Sequence, residues 1–344
     1  MPMILSANPY ESIGVDVTLI DEPRGVRDAD RLAVANPSVG YNAPLTTRGI
    51  RGMFYEALEL GAQSVWAMAC GLFFLSDTET ESHKWLGQVP EPRKHIGGLN
   101  LNQLRNLGVS ITNEEYETSI RFKKRDWRND KTGHMRRRLP QLATAYLDHW
   151  NSLVVTLIEA NGSAFDGVAF FSDSHSLGSS GTLDNNISYN ASSTSALTKT
   201  EAIDVLTQGA AQFFTFKDDQ GRPANQGARD FLVVGPPGHA PGCIAAINDS
   251  LNANGGTNEL SNLGWRFRYV PEARLGSAAV LYMFRVDDKS SPAFILQEED
   301  TPSVEFLGEG SEHWIKNNEA IGTAKATRAA GLGDYKKAVK ITIT

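Results

Sequence analysis

The stretch Trp85–Gly98, WLGQVPEPRKHIGG, constrains the fold more than any other part of the chain. It holds two prolines and three glycines beside one large aromatic residue. Proline and glycine at that density exclude a helix, and the segment has too little apolar surface to form a core. It nevertheless lies between two apolar segments and continues into a polar, strand-like run over 109–124. A long extended excursion of this kind is typical of a segment that contacts another molecule.

The charge of the chain is distributed unevenly. Over all 344 residues the formal charge is −7, which argues against a dedicated nucleic-acid-binding protein. Residues 121–138, however, hold nine Lys/Arg and two Asp, a net of +7, so the remainder carries −14. Such a local excess of cations indicates a surface that meets an acidic partner. Three interpretations stay open: a solvated hairpin base, a contact with a neighbouring subunit, and a contact with nucleic acid.

Several classes of protein are disfavoured by what the sequence lacks. Cys70 and Cys243 lie in apolar segments and are expected to be buried free thiols, as in a reducing cytoplasm. No signal peptide is evident, and the most apolar stretch, 65–75, is too short to span a membrane. We find no glycine motif for a dinucleotide or a phosphate, and the seven histidines show no metal-ligand spacing. No cofactor and no metal are therefore predicted.

The hydrophobic pattern interleaves helices and strands early and clusters strands late, which favours an α+β fold over a doubly wound sheet. The clearest helix covers 140–160, with Pro140 in its first turn and Asn161-Gly162 as its stop. Thr198 and Glu201 form a capping box that opens another helix. The remaining predictions are helices over 53–74 and 244–251, strands over 113–124, 165–171, 230–234, 265–270, 278–286, 293–297 and 337–344, and a polar loop or flap over 172–195.

The run Ser172-Asp173-Ser174-His175 admits a hydrolase hypothesis, because serine, histidine and aspartate can form a nucleophilic triad. Members of a triad usually come from distant positions, and the chain has no G-x-S-x-G elbow. A hydrogen-bonded turn is the favoured interpretation, and no catalytic residue is predicted. The acidic groups Glu114-Glu115 and Glu298-Glu299-Asp300 are interpreted as solvated surface.

Six stretches, in order and in register between about residues 50 and 340, resemble the major head subunit of Mu-like phages and prophages. They are SVWAMACGLFFLSDTETES, HKWLGQVPEPRKHIG, ITNEEYETSIRFKKRDWRND, AFDGVAFFSDSH, FKDDQGRP followed by FLVVGPP, and TRAAGLGDYKKAV. The run KKRDWRND departs from the family, which is usually more acidic there, and the first 50 residues match least. No Lys–Asn pair for a covalent crosslink can be carried over.

The resemblance implies an α+β fold of the Hong Kong 97 type. It assigns 1–50 to an N-terminal arm, 51–84 to a helix leading to the E-loop, and 85–133 to the E-loop, a long hairpin that reaches onto neighbouring subunits. A peripheral domain would follow at 134–199, with the spine helix at 140–160. An axial domain would occupy 200–290, and strands at 291–344 would return to the peripheral domain.

The implied function is structural, not enzymatic. Copies of the chain would assemble into pentamers and hexamers of an icosahedral head that encloses double-stranded DNA. The protein would contact this DNA non-specifically. The protein would be made in the cytoplasm of a bacterial host and reside in the virion capsid. A scaffold, a protease and a portal would be its assembly partners, and no membrane is involved. One alternative is a shell of the same fold around protein cargo, and another is a hydrolase using Ser174 and His175.

The excursion and the basic run together supply the candidate contacts between subunits. These are Trp85, Arg93, Arg121, Lys123, Lys124, Arg125, Arg128, Arg136, Arg137 and Arg138.

Overall fold

The computed structural model describes residues 47–61, 65–85, 107–125, 134–251, 256–258, 260, 263–308 and 311–344. The chain divides into two compact units. The first unit comprises Met1–Val65, Asn113–Asn151 and Glu298–Arg328, and the second comprises Trp66–Thr112, Ser152–Gln297 and Ala329–Thr344.

Helices and strands are interleaved along the described residues. The helices are α1 (Thr47–Gly61), α2 (Ala67–Cys70), α3 (His134–Ala160), α4 (Lys199–Thr215), α5 (Ala240–Asn248) and α6 (Glu312–Asn317). The strands are β1 (Gly71–Leu75), β2 (Thr80–Trp85), β3 (Leu107–Thr112), β4 (Glu114–Lys123), β5 (His175–Ser176), β6 (Thr182–Leu183), β7 (Asn186–Tyr189), β8 (Asp230–Gly235), β9 (Arg266–Pro271), β10 (Val280–Arg285), β11 (Phe294–Leu307), β12 (Glu319–Leu332) and β13 (Ala338–Ile343).

The first unit joins one face of α3 to the strand pair β4 and β12. Leu142, Tyr146 and Trp150 recur every four residues and are all buried, as expected of one helix face. The two strands run antiparallel, from Glu114 opposite Arg328 to Lys123 opposite Glu319. The Tyr146 hydroxyl donates to the backbone carbonyl of Tyr116 at 3.1 Å, which fixes the helix to β4.

Helix α3 is longer than predicted, because it begins at His134 and places Pro140 in its interior. Proline lacks an N–H, so one hydrogen bond of the helix is absent at that turn. The residues that precede it, HMRRRL, are mostly strong helix formers, and they extend the helix beyond the proline.

The second unit contains a five-stranded sheet in the order β7-β13-β10-β8-β9. The pairs β7–β13 and β8–β9 are parallel, and β10 is antiparallel to both its neighbours. Every residue of β10 is buried, which is typical of a strand covered on both faces. Helix α4 approaches this sheet so closely that a Cβ at Gly209 would lie 2.7 Å from Ile341 and 2.8 Å from Met283. The predicted capping box of Thr198 and Glu201 is confirmed at the start of α4.

The predicted helix over 53–74 is wrong in its second half. Helix α1 ends at Gly61, and residues 71–75 form β1. This strand lies at one end of a four-stranded sheet in the order β1-β11-β12-β4. The sequence pattern also missed β12 and α6, because the alternation of small and polar residues along β12 gives a weak hydrophobic signal.

The hairpin that begins at β2 returns through β3, and not through the predicted strand over 113–124. Strand β2 pairs antiparallel with β3 from Thr80–Thr112 to Trp85–Leu107. Strand β4 pairs instead with β12. The prediction failed because β3 and β4 are separated only by Asn113, so the two strands read as one polar run. The rest of the excursion, 86–106, lies outside the described residues.

The predicted strand over 165–171 is wrong, since this segment forms turns with one isolated bridge between Ser163 and Ala169. The predicted polar flap over 172–195 instead carries three short strands, β5, β6 and β7. The side chain of Asn185 helps to hold the start of this segment in place. Its amide nitrogen donates to the Phe170 carbonyl at 2.8 Å, and its amide oxygen accepts from the backbone N–H of Ser172 at 2.8 Å.

The two compact units differ in extent from the predicted capsid domains. Segment 134–199 divides after Asn151, and segment 291–344 divides at Gln297 and Arg328. Strand β13, expected to return to the peripheral domain, pairs with β10 inside the segment assigned to the axial domain. The assignment of capsid domain names therefore stays a prediction.

Cys70 and Cys243 are buried free thiols, as predicted, and burial raises the pKa of each to about 12. In the part of the chain that the structure describes, no helix has both the length and the apolar character needed to cross a membrane. Within the same residues, no group of three or more His, Cys, Asp or Glu could hold a metal ion.

Candidate inter-subunit surfaces

One face of β4 is exposed along its whole length. Alternate residues of a strand share a face, and those at 115, 117, 119, 121 and 123 are all exposed. The face is acidic where the strand begins, at Glu115 and Glu117, and basic where it ends, at Arg121 and Lys123. Glu115 is solvated surface, as predicted, but it also shares a face with the basic residues, which was not predicted. The strand alternation was the signal that could have shown it.

Two exposed ion pairs link this face to β12. Arg121 Nε lies 3.7 Å from Glu319 Oε2, and Lys325 Nζ lies 3.5 Å from Glu115 Oε1. The Arg121 side chain is nevertheless 71% exposed and that of Glu115 66%. Pairs so open to solvent are weak, so these charges stay available to a partner molecule.

The opposite face of β4 packs inward. Phe122 is buried with Trp314 and Ala320, and Ile120 packs against this cluster. Lys124, just beyond the strand, places its ammonium 5.3 Å from the centre of the Trp314 ring. The basic run is therefore divided: Arg121, Lys123 and Arg125 are exposed, whereas Lys124 is half-buried.

The other cations of the basic run lie at the start of α3 or outside the described residues. Arg136 and Arg137 fall in the first turn of α3, which has no acidic residue. Arg138 is exposed and donates from Nη1 to Gln141 Oε1 at 3.4 Å. Cations at this end oppose the helix macrodipole, so they do not serve to stabilise the helix. Arg93 and Arg128 lie outside the described residues.

The base of the hairpin is held to the second unit through one face. His83 Nε2 lies 3.0 Å from Gln297 Oε1, and Ile111 packs with Ile295 and Ala329. The other face carries a ladder of exposed hydroxyl groups, with Thr80 and Thr112 joined at 3.0 Å. Trp85 pairs with Leu107 in the last described pair. The described base of the hairpin is therefore fixed within the second unit.

A fully buried ion pair lies inside the first unit, where the sequence predicted solvated surface at Glu298. Arg328 Nη2 lies 2.8 Å from Glu298 Oε1, and both side chains are 0% exposed. The guanidinium lies 4.6 Å from the Trp150 ring centre, and its Nη1 donates to the Tyr146 carbonyl at 2.9 Å. Burial raises the pKa of Glu298 to about 7, and Arg328 acts in the opposite direction. No sequence signal marks Glu298, because its neighbours Glu299 and Asp300 are equally acidic.

His175 takes part in the core of the second unit, where its two ring nitrogens contact groups other than a serine hydroxyl. Its ring stacks on Tyr335 at 3.8 Å, Nδ1 lies 2.6 Å from Asp166 Oδ2, and Nε2 lies 3.2 Å from the Phe170 carbonyl. Ser174 is exposed, and its hydroxyl contacts Ser172 Oγ at 2.9 Å. Both ring nitrogens of His175 are thus used by other partners. The favoured interpretation of a hydrogen-bonded turn agrees with this geometry.

Residues 45–203 match the family model of the Mu-like prophage major head subunit gpT. A curated relative, the Mu-like prophage FluMu major head subunit of Haemophilus influenzae, is 27% identical over 105 residues. That match covers 30% of this chain and 34% of the relative, so the chain spans about a third of the relative's length. The resemblance found in the motifs is confirmed for residues 45–203.

Solved structures extend the comparison to most of the chain. The capsid of the cyanophage P-SCSP1u aligns with a TM-score of 0.53 at 10% identity, covering 80% of this chain and 86% of that one. The mature capsid of bacteriophage PhiM1 gives 0.52 at 11% identity, covering 81% and 86%. A virus-like particle from Pyrococcus furiosus gives 0.52 at 8% identity, covering 86% and 98%. The fold is the α+β Hong Kong 97 type.

Proposed function

We propose that this protein is the major capsid subunit of a tailed, double-stranded DNA phage or Mu-like prophage. The observation that carries the proposal is the match of residues 45–203 to the Mu-like prophage major head subunit, within a fold shared with phage capsids. Copies of the chain form the pentamers and hexamers of an icosahedral head, and the finished protein resides in the virion. A scaffold, a protease and a portal act during assembly, and packaged DNA is contacted non-specifically.

The hairpin supports a role in assembly. Its base is fixed by His83, Ile111 and the backbone ladder of β2 with β3. The remaining 86–106 segment has a composition that cannot bury a core of its own. Such a segment gains its ordering free energy when it meets a neighbouring subunit.

The test is to purify the subunit and examine it by light scattering and negative-stain electron microscopy. Closed shells or capsomers are expected. Monomers alone, at high concentration and with any scaffold protein supplied, would contradict the proposal.

A shell around protein cargo is the second candidate, because the fold is also that of the Pyrococcus furiosus virus-like particle. The match to the Mu-like head subunit favours the phage head. The two are separated by the contents of particles purified from the producing cells: nuclease-protected DNA supports a head, and a stoichiometric second protein supports a compartment.

A further inference from the structure

The free edge of β4 has the backbone geometry to accept another strand. Among the described strands, β4 ends the order β1-β11-β12-β4 and pairs only with β12. The backbone N–H of Lys124 donates to the Asn318 carbonyl at 2.8 Å, so even-numbered residues direct their backbone groups toward β12. Successive residues of a strand alternate in this respect. The N–H and C=O groups of the odd-numbered residues 115–123 therefore point to the opposite, free edge.

The charges along the same odd-numbered residues are self-complementary. If a second copy of β4 lies antiparallel with its Ser119 opposite Ser119, then Glu117 faces Arg121 and Glu115 faces Lys123. The two-fold axis repeats both contacts. Each of the two glutamates and two cations of one copy therefore faces an opposite charge of the other copy. A parallel arrangement in register would instead set glutamate beside glutamate and cation beside cation, which is unfavourable.

We propose that β4 pairs with β4 of a second copy across a two-fold axis through Ser119, forming a continuous sheet between two subunits. The inference rests on the proposed function, since a shell is what brings two copies together, and it assigns part of the basic run to a particular partner. The acidic start of the neighbouring β4 is the surface that receives Arg121 and Lys123. The interface is isologous, because each copy presents the same patch.

A cysteine crosslink tests the register. Residues opposite each other in a hydrogen-bonded antiparallel pair have Cα atoms about 5.5 Å apart, within disulfide range. Ser119→Cys should therefore form a covalent dimer under mild oxidation of the assembled protein. The matched control is Thr323→Cys, since Thr323 lies beside Ser119 on β12 and their hydroxyl oxygens are 3.1 Å apart. Across the proposed axis two Thr323 residues would be about 14 Å apart, which is too far to crosslink.

Charge exchange tests the pairing itself in the Ser119→Cys background. Glu117→Arg alone places arginine against Arg121 twice, and the dimer yield should fall about tenfold. Arg121→Glu alone should have a similar effect, and the double exchange should restore the yield. Glu319→Gln, which removes the partner of Arg121 within the subunit, should leave the yield unchanged.

The outcomes separate this inference from the proposed function. Shells in which Ser119→Cys crosslinks no better than Thr323→Cys would overturn the strand pairing and leave the capsid assignment intact. If no shell or capsomer forms, the capsid assignment fails, and the crosslink is then measured on the dispersed protein. Equal yields for the two cysteines there would overturn the pairing as well. Restoration by the double charge exchange, in either state, supports it.

Discussion

At the scale of single residues, the pair of Glu298 and Arg328 links protonation to stability. Burial raises the pKa of Glu298 to about 7, from an ordinary value of 4.5. Between these two pH values, Glu298 is therefore protonated in the folded subunit and ionised in the unfolded chain. The stabilisation of the folded state by this proton binding is fully present below pH 4.5, where the unfolded chain is protonated as well. The contribution is lost as the pH rises through 7.

We therefore expect the free energy of unfolding, relative to that of the Glu298→Gln variant, to decrease as the pH is raised from about 5 to about 8. Urea unfolding followed by tryptophan fluorescence at a series of pH values measures this difference. Titration of all other groups is common to both proteins and cancels. Parallel pH profiles would show that Glu298 stays ionised in the folded subunit.

His175 and Ser174 offer a second residue-scale prediction, because their neighbours in the structure differ so much. His175→Ala removes a fully buried ring that stacks on Tyr335, and we expect the subunit to lose about 3 kcal/mol of stability. Ser174→Ala changes an exposed hydroxyl and should alter stability by less than about 0.5 kcal/mol. Thermal unfolding measures both effects. Hydrolysis of an activated ester by the wild type that disappears in Ser174→Ala would instead revive the hydrolase hypothesis.

At the scale of elements, the basic start of α3 is expected to act in assembly and not in folding. Replacing Arg136, Arg137 and Arg138 by glutamine removes three cations from the end of the helix where the macrodipole disfavours them. The melting temperature should stay equal or rise slightly, while the particle yield falls. The charge-matched control replaces the exposed Lys217, Arg229 and Arg268 by glutamine. Unchanged particle yield in the α3 variant would exclude a contact role.

The hairpin permits a similar separation of folding from assembly. Joining Trp85 to Leu107 through Asn-Gly removes 86–106 and keeps every pair of β2 with β3, since this turn suits a two-residue hairpin. The free energy of unfolding of the shortened subunit should equal that of the wild type or exceed it by up to about 2 kcal/mol, because closing a two-residue loop costs less entropy than closing a 21-residue one. Its particle yield, counted in electron micrographs, should fall sharply. Normal shells would show that residues 86–106 are dispensable for assembly.

At the scale of the whole molecule, the sequence predicted those elements whose signal is local. The capping box of Thr198 and the apolar strand β8 need no distant partner to be recognised, and both were found. Strand β12 and the buried state of Glu298 depend on pairing with residues far along the chain, so pattern reasoning missed them. The free edge of β4 likewise became visible only when its backbone partners were known.

The position of β13 has a consequence for synthesis. This strand lies between β7 and β10, yet it is the last strand of its sheet to leave the ribosome, about 150 residues after β7. Until it emerges, the facing edges of β7 and β10 have no partner, and the nascent chain cannot complete the sheet. Chains whose translation stops before β13 therefore lack the central strand that joins β7 to β10. We expect chaperones and proteases to recognise such chains by the unpaired edges of β7 and β10.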